Sequence, residues 1–177
     1  MVSQIKVDSV LESSSGNGVT VDGVLIIDSK LASGTGNVLQ VVQGTDNTPA
    51  NITSSSYQDT GLTASITPSA TSSKVLVIVS HSVFVYAPGA IPFAYIQLLR
   101  DSTVISEDFP LGIKAYLHGD GNGYIGSSQN ISILDSPSST SSLTYKTQGK
   151  YVGSGSGYLT TAYSDATDSI VLMEIGG

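Results

Sequence analysis

The 177-residue chain has no cysteine. That removes a disulfide framework, a thiol nucleophile and any thiolate metal site. It has no tryptophan, and charged residues make up only 12% of it. The seven basic residues (Lys6, Lys30, Lys74, Arg100, Lys114, Lys146, Lys150) are scattered, and the formal net charge is -7. Neutralising phosphates needs clustered Lys and Arg, so nucleic acid is not an expected partner. The longest apolar run covers roughly 13 residues, short of the ~20 a membrane-crossing helix needs. MVSQIKVDSV lacks the apolar core of a signal peptide, so no secretory route, lipid anchor or membrane partner is expected. No segment of three turns carries a 3.6-residue period; IPFAYIQLLR (91–100) comes nearest, and Pro92 argues against a helix there.

What replaces charge is Ser, Thr, Gly and Asn. Disorder is the usual meaning of that composition, but apolar residues reach 40% and recur in short alternating runs. The fold class expected is therefore all-β. The centre of the pattern is KVLVIVSHSVFVY (74–86), rich in β-branched and aromatic residues on both sides of a period of two. It reads as a long strand buried on both faces, near the middle of a sandwich.

Residues 1–44 repeat a plan, with SSGNGVTVDGV (14–24) and SGTGNVLQVVQG (33–44) each setting a Ser/Gly turn before a short Val/Leu strand. The offset of about 19 residues suits a small β repeat unit, whose short strands become stable by pairing with other copies. A self-associating N-terminal anchor or stalk is expected at 1–44. TDNTPANITSSSYQ (45–58) carries turn residues and no period, and is expected to be a linker; its Asn51-Ile52-Thr53 sequon means little without a secretory signal. Residues 59–177 hold roughly eight or nine short alternating runs at about 10–15 residue spacing, which points to an antiparallel β-sandwich of the jelly-roll kind. The strands expected there are GLTASI, 74–86, FAYIQLLR (93–100), TVISE (103–107), GIKAYLH (112–118), NISIL (130–134), SLTYKTQ (142–148), GYLTTAY (157–163) and SIVLMEI (169–175).

Several stretches in this half resemble one family in order: DTGLTASITPSATSSKVLVIVS, then QLLRDSTVI, LDSPSSTSSLTYKTQ, and SDATDSIVLMEIGG at the end. They are similar to the terminal domain of tailed-bacteriophage virion appendages: tail fibres, head fibres and capsid decoration proteins. VDSVLESSSGNGVTVDGVLIIDSKL resembles a segment common in phage head and tail appendages. The resemblance implies a homotrimeric β-rich structural protein, made in the host cytoplasm and residing in the virion. Its N-terminal region would contact other virion proteins, and a jelly-roll knob would be displayed outward. The alternative is a receptor-binding tail-fibre adhesin that recognises host surface polysaccharide.

Catalytic and cofactor patterns weaken on inspection. Gly121-Asn122-Gly123-Tyr124-Ile125-Gly126 matches G-x-G-x-x-G, but no helix follows to meet a pyrophosphate, so the stretch reads as a hairpin or loop turning at Asn122-Gly123. His118-Gly119-Asp120-Gly121-Asn122 lacks the closing carboxylate of a Ca²⁺ loop. Gly153-Ser154-Gly155-Ser156-Gly157 has Gly where a nucleophile elbow needs Ser. Glu107 and Asp108 are adjacent, so a strand would turn them to opposite faces, unlike a glycosidase pair. No catalytic residue, cofactor or metal is expected. His81, mid-strand, is expected to be a core or trimer-axis residue. Of nine tyrosines, eight lie between Tyr86 and Tyr163. Most suit subunit seams; Tyr116, Tyr124, Tyr158 and Asn122 are the candidates for surface recognition of glycan, which the Gly/Ser-rich loops 118–128 and 152–158 would carry.

Overall fold

The computed structural model describes residues 19–21, 24–27, 30–31, 36–89, 93–110, 121–153 and 155–177. Near the N-terminus, β1 (Val19–Val21), β2 (Val24–Ile27) and β3 (Lys30–Leu31) form a three-stranded antiparallel meander. Ten further strands follow: β4 (Val38–Asp46), β5 (Ala50–Ile52), β6 (Gln58–Ile66), β7 (Lys74–Ala87), β8 (Ala94–Arg100), β9 (Thr103–Pro110), β10 (Gly123–Asp135), β11 (Leu143–Tyr151), β12 (Tyr158–Thr161) and β13 (Asp168–Ile175). They make two antiparallel sheets, one of six strands and one of four, the latter in the order β6-β11-β8-β9.

The central strand organises the larger sheet. β10 runs along one edge of β7 from Gly123↔Ala87 to Asp135↔Val75. The other edge is shared: β13 takes its first half and β12 its second, with β4 beyond β13 and β5 beyond β12. Val75, Val77, Val79, Val83 and Val85 point inward with Ile170, Leu172 and Leu159. They meet Leu62 and Ile66 of β6, Ile96 and Leu98 of β8, and Leu143, Tyr145 and Tyr151 of β11, closing the core of a β-sandwich. Burying a side chain of this size contributes about 1.5–3 kcal/mol, so this alternation is the dominant stabilising pattern.

The expectation that β7 is buried on both faces is not met. Its even positions are only partly covered, and Ile78 is 37% exposed. Apolar alternation on both sides made the strand look enclosed, yet among the described residues only one sheet packs on it. β10 also begins seven residues before NISIL, so Tyr124–Ser128 belong to a strand rather than a loop or hairpin. Val38–Asp46 pair along β13, and Ala50–Ile52, within the expected linker, pair with β12. GIKAYLH (112–118) lies outside the described residues.

Polar locks fasten the periphery. Glu174 of β13 accepts from the Ser69 backbone N–H (2.7 Å), the Ser69 hydroxyl (2.6 Å) and the Gln40 amide (2.7 Å), tying the β6–β7 turn and β4 to the last strand. Burial raises its pKa, but the hydrogen bonds from Ser69 and Gln40 outweigh that and hold it at about 2. Asp135 takes an ion pair from Arg100 and a hydrogen bond from the Tyr145 phenol (2.7 Å). Asp101, at a φ of 53°, turns the β8–β9 hairpin while its carboxylate accepts from the Thr144 N–H (2.9 Å).

Candidate functional site: the outer face of the six-stranded sheet

Pairing fixes which side chains share the solvent side of the larger sheet. On β7 they are Leu76, Ile78, Ser80, Ser82, Phe84 and Tyr86. Opposite them on β10 stand Leu134, Ser132, Asn130, Ser128, Gly126 and Tyr124. β13 adds Ser169, Val171, Met173 and Ile175, and β4 adds Val38, Val41, Gln43 and Thr45. None of these is charged; Lys74 stands at the margin. Charges gather instead on the four-stranded sheet, where Lys146 pairs with Asp59 at 3.0 Å and Lys150 lies over the rings of Tyr57 and Tyr95.

The face has two apolar ends and a hydroxyl-rich middle. One end is aliphatic, with Val38 54%, Val41 57% and Leu134 52% exposed. The other is aromatic. Tyr86 lies 5.4 Å from Tyr124 and 5.6 Å from Tyr158, centroid to centroid. Phe84 stacks on Tyr163 at 4.5 Å and meets Tyr124 and Tyr158 at 6.3 Å. These separations fall in the range of favourable ring pairs. Between the ends lie Ser80, Ser82, Ser128, Asn130, Ser132 and Ser169. Tyr151 runs beneath the aromatic end, 2% exposed, its pKa pushed up by burial. Its hydroxyl is buried without a hydrogen-bond partner. Gly153 and Gly157 flank that hydroxyl, and a Cβ at either would collide with it.

Of the recognition candidates, Tyr124 and Tyr158 come together through Tyr86, on strands. Asn122 lies just before β10, where its side-chain oxygen accepts from the Gly89 N–H (3.3 Å). Tyr116 lies outside the described residues, as do His118 and Asp120. Phe84, Tyr86 and Tyr163 were not singled out from sequence. The signal was present, since Phe84 and Tyr86 share parity with Ile78, but reading the strand as doubly buried hid it.

His81 is 1% exposed and sits in the core. Its Nδ1 lies 2.6 Å from Asp168 Oδ2 and its Nε2 2.9 Å from Thr147 Oγ1, which is 2.6 Å from the Thr60 hydroxyl. Asp168 also accepts from the backbone N–H groups of Ser82 and Ala162. Each ring nitrogen thus faces one oxygen partner, Asp168 on one side and Thr147 on the other. Acid, imidazole and hydroxyl stand in the order of a nucleophile relay. Thr147 and Asp168 are 0% and 1% exposed, so no substrate reaches them, and the chain of bonds instead joins the two sheets. Beside the β6–β11 bulge lies a hollow of about 150 Å³ lined by Asp59, Gly61, Leu62, Thr63, Lys146 and Thr147, well below the ~300 Å³ of a ligand pocket. Among the described residues no three His, Asp or Glu side chains group to hold a metal ion.

No family model matches the chain, and no curated protein matches it. Solved structures that are similar include two. One is dimeric latent PorU from Porphyromonas gingivalis, with 10% identity and a TM-score of 0.39, covering 82% of this chain and 14% of that one. The other is the infectious bursal disease virus VP2 subviral particle, with 15% identity and a TM-score of 0.27, covering 94% of this chain and 46% of that one. The chain thus spans less than half the length of either.

Proposed function

We propose that the chain is a non-enzymatic structural protein of a bacteriophage virion, a short homotrimeric fibre or decoration protein displaying a jelly-roll knob. The observation that carries the self-assembly in this reading is the charge-free outer face. A protein of net charge -7 keeps Asp and Glu off the outer face of four adjacent strands while leaving Val38, Val41, Ile78 and Leu134 in water. Strands about 4.8 Å apart, with a rise of ~3.3 Å per residue, make that face on the order of 800 Å². A stable interface buries about 800 Å² per partner, so the face is large enough to form one. Copies of an acidic chain repel one another except where charge is absent, so this is the face on which they can meet. The virion assignment rests on the ordered motifs DTGL…ITPS…SSK and LMEIGG. It is tested by quantitative mass spectrometry of purified phage particles that encode the chain. Copy numbers in multiples of three are expected; absence from the particles would refute it.

The aromatic end favours a second reading, attachment to host polysaccharide. Five rings with hydroxyl-bearing neighbours offer flat apolar surface and polar rims, the combination that suits sugar contact. Tyr124→Ala separates the two readings: loss of glycan-array binding with native mass unchanged supports attachment, and loss of the oligomer supports a subunit seam.

A further inference from the structure

Exposed sheet edges invite other strands, and natural proteins guard them with charge, Pro, bulges or short length. Most edges of this sandwich are guarded. β5 has three residues. β9 carries Glu107, Asp108 and Pro110, and its pairing shifts register twice. β6 carries Asp59 and faces a bulge in β11. β10 has none of these. It runs 13 residues, pairs with β7 without a register shift, and holds no charge or proline from Gly123 to Leu134. Among the described residues, β7 is the one strand beside it.

The opposite margin of the same sheet is β4, uncharged from Val38 to Thr45. The inner side of β4 packs on β6 and the turn after it, where a Cβ at Gly44 would strike the Thr63 carbonyl and the Gln40 amide reaches the Thr67 carbonyl (2.7 Å), but among the described residues no strand pairs with the outer edge of Val38–Gln43. Each pairing from β4 through β13 and β7 to β10 is antiparallel, so β4 and β10 run in opposite directions. A copy rotated about an axis parallel to the strands therefore offers its β4 to β10 in antiparallel sense.

We infer that β10 of one copy takes the Val38–Gln43 edge of β4 from the next, a head-to-tail contact that closes into a ring. In that ring the sheet continues from subunit to subunit, and the charge-free faces turn toward the axis. This inference rests on the self-assembly reading and names the contact through which it occurs. A head-to-tail contact suits a threefold ring, whereas a self-complementary one would stop at a dimer.

The test reads residue-resolved amide exchange on the wild-type oligomer. Along an edge strand, alternate amides face away from the sheet and exchange fast when unpaired. Protection of the outward amides on both β10 and Val38–Gln43, at least 100-fold over an open edge, is expected. A second measurement replaces Ser127 and Ser128 singly by Pro. One replacement breaks the β7 ladder; the other removes only an outward donor. The latter is expected to keep the wild-type circular dichroism and become monomeric. An oligomer whose β10 or β4 outward amides exchange freely, or a folded proline variant of wild-type mass, overturns the strand contact alone. A monomeric wild-type protein overturns the self-assembly reading as well.

Discussion

Glu174 shows how a single buried carboxylate earns its place at the end of this chain. Three donors from Ser69 and Gln40 hold its pKa at about 2, below the usual 4.5. A depressed carboxylate pKa stabilises the fold fully above pH 4.5, and that stabilisation is lost as pH falls toward 2. Glu174→Gln is expected to cost about 2–3 kcal/mol at neutral pH, the scale of hydrogen bonds to a charged group. In urea titrations at stepped pH, the gap between wild type and variant should close between pH 4.5 and 2; a constant gap would contradict the assignment. Thr147→Val leaves His81 Nε2 without its hydroxyl partner inside the core, while Thr60 keeps the Thr147 carbonyl, and should cost about 1–3 kcal/mol in the same assay. Tyr151 carries the opposite sign. Its hydroxyl is buried and unpartnered, so Tyr151→Phe should leave stability unchanged or raise it by up to about 1 kcal/mol, read as a thermal midpoint that does not fall.

The strands show which part of the fold was legible in the sequence. Period-two runs locate β6, β7, β11 and β13 to within a few residues, because each has one buried face and bulky residues to fill it, while β8, buried on both sides from Ile96 to Leu99, stands out as an apolar run. β10 was read short, since Gly123, Gly126 and a run of Ser and Asn carry weak strand preference. Pairing with β7 along its full length overrides that preference. The motifs singled out by their order turn out to be fasteners. ITPS meets LMEI as Ser69 on Glu174; QLLRD, LDSP and SLTYK meet as Arg100, Asp135 and Tyr145. Their sequence separation hid the pairing, as it hid the bond between His81 and Asp168. The aromatic end was half visible: Tyr124 and Tyr158 were singled out, but for loops. Gly157→Ala tests how tightly this end is built. Its Cβ would strike the Tyr151 hydroxyl and the Tyr86 carbonyl, so a lowered melting temperature is expected, and Tyr151→Phe in the same chain should recover only part of it.

At the scale of the whole molecule, charge and shape divide the work. The four-stranded sheet carries ion pairs and faces water comfortably. The six-stranded sheet presents an uncharged surface whose apolar ends an isolated chain hydrates at a cost, and the proposed trimer removes that cost. Composition already announced a low-charge surface, but not that one sheet face would be left without Asp or Glu among the described residues, which only strand pairing reveals. The central claim is that this face is covered by copies of the chain. Light scattering after size exclusion, on the wild type and on Ile78→Asp, tests it most directly. The account predicts a wild-type mass about three times 18.2 kDa, and for Ile78→Asp a folded particle of one chain mass. A wild-type monomer, or an Ile78→Asp protein that remains trimeric, would contradict it.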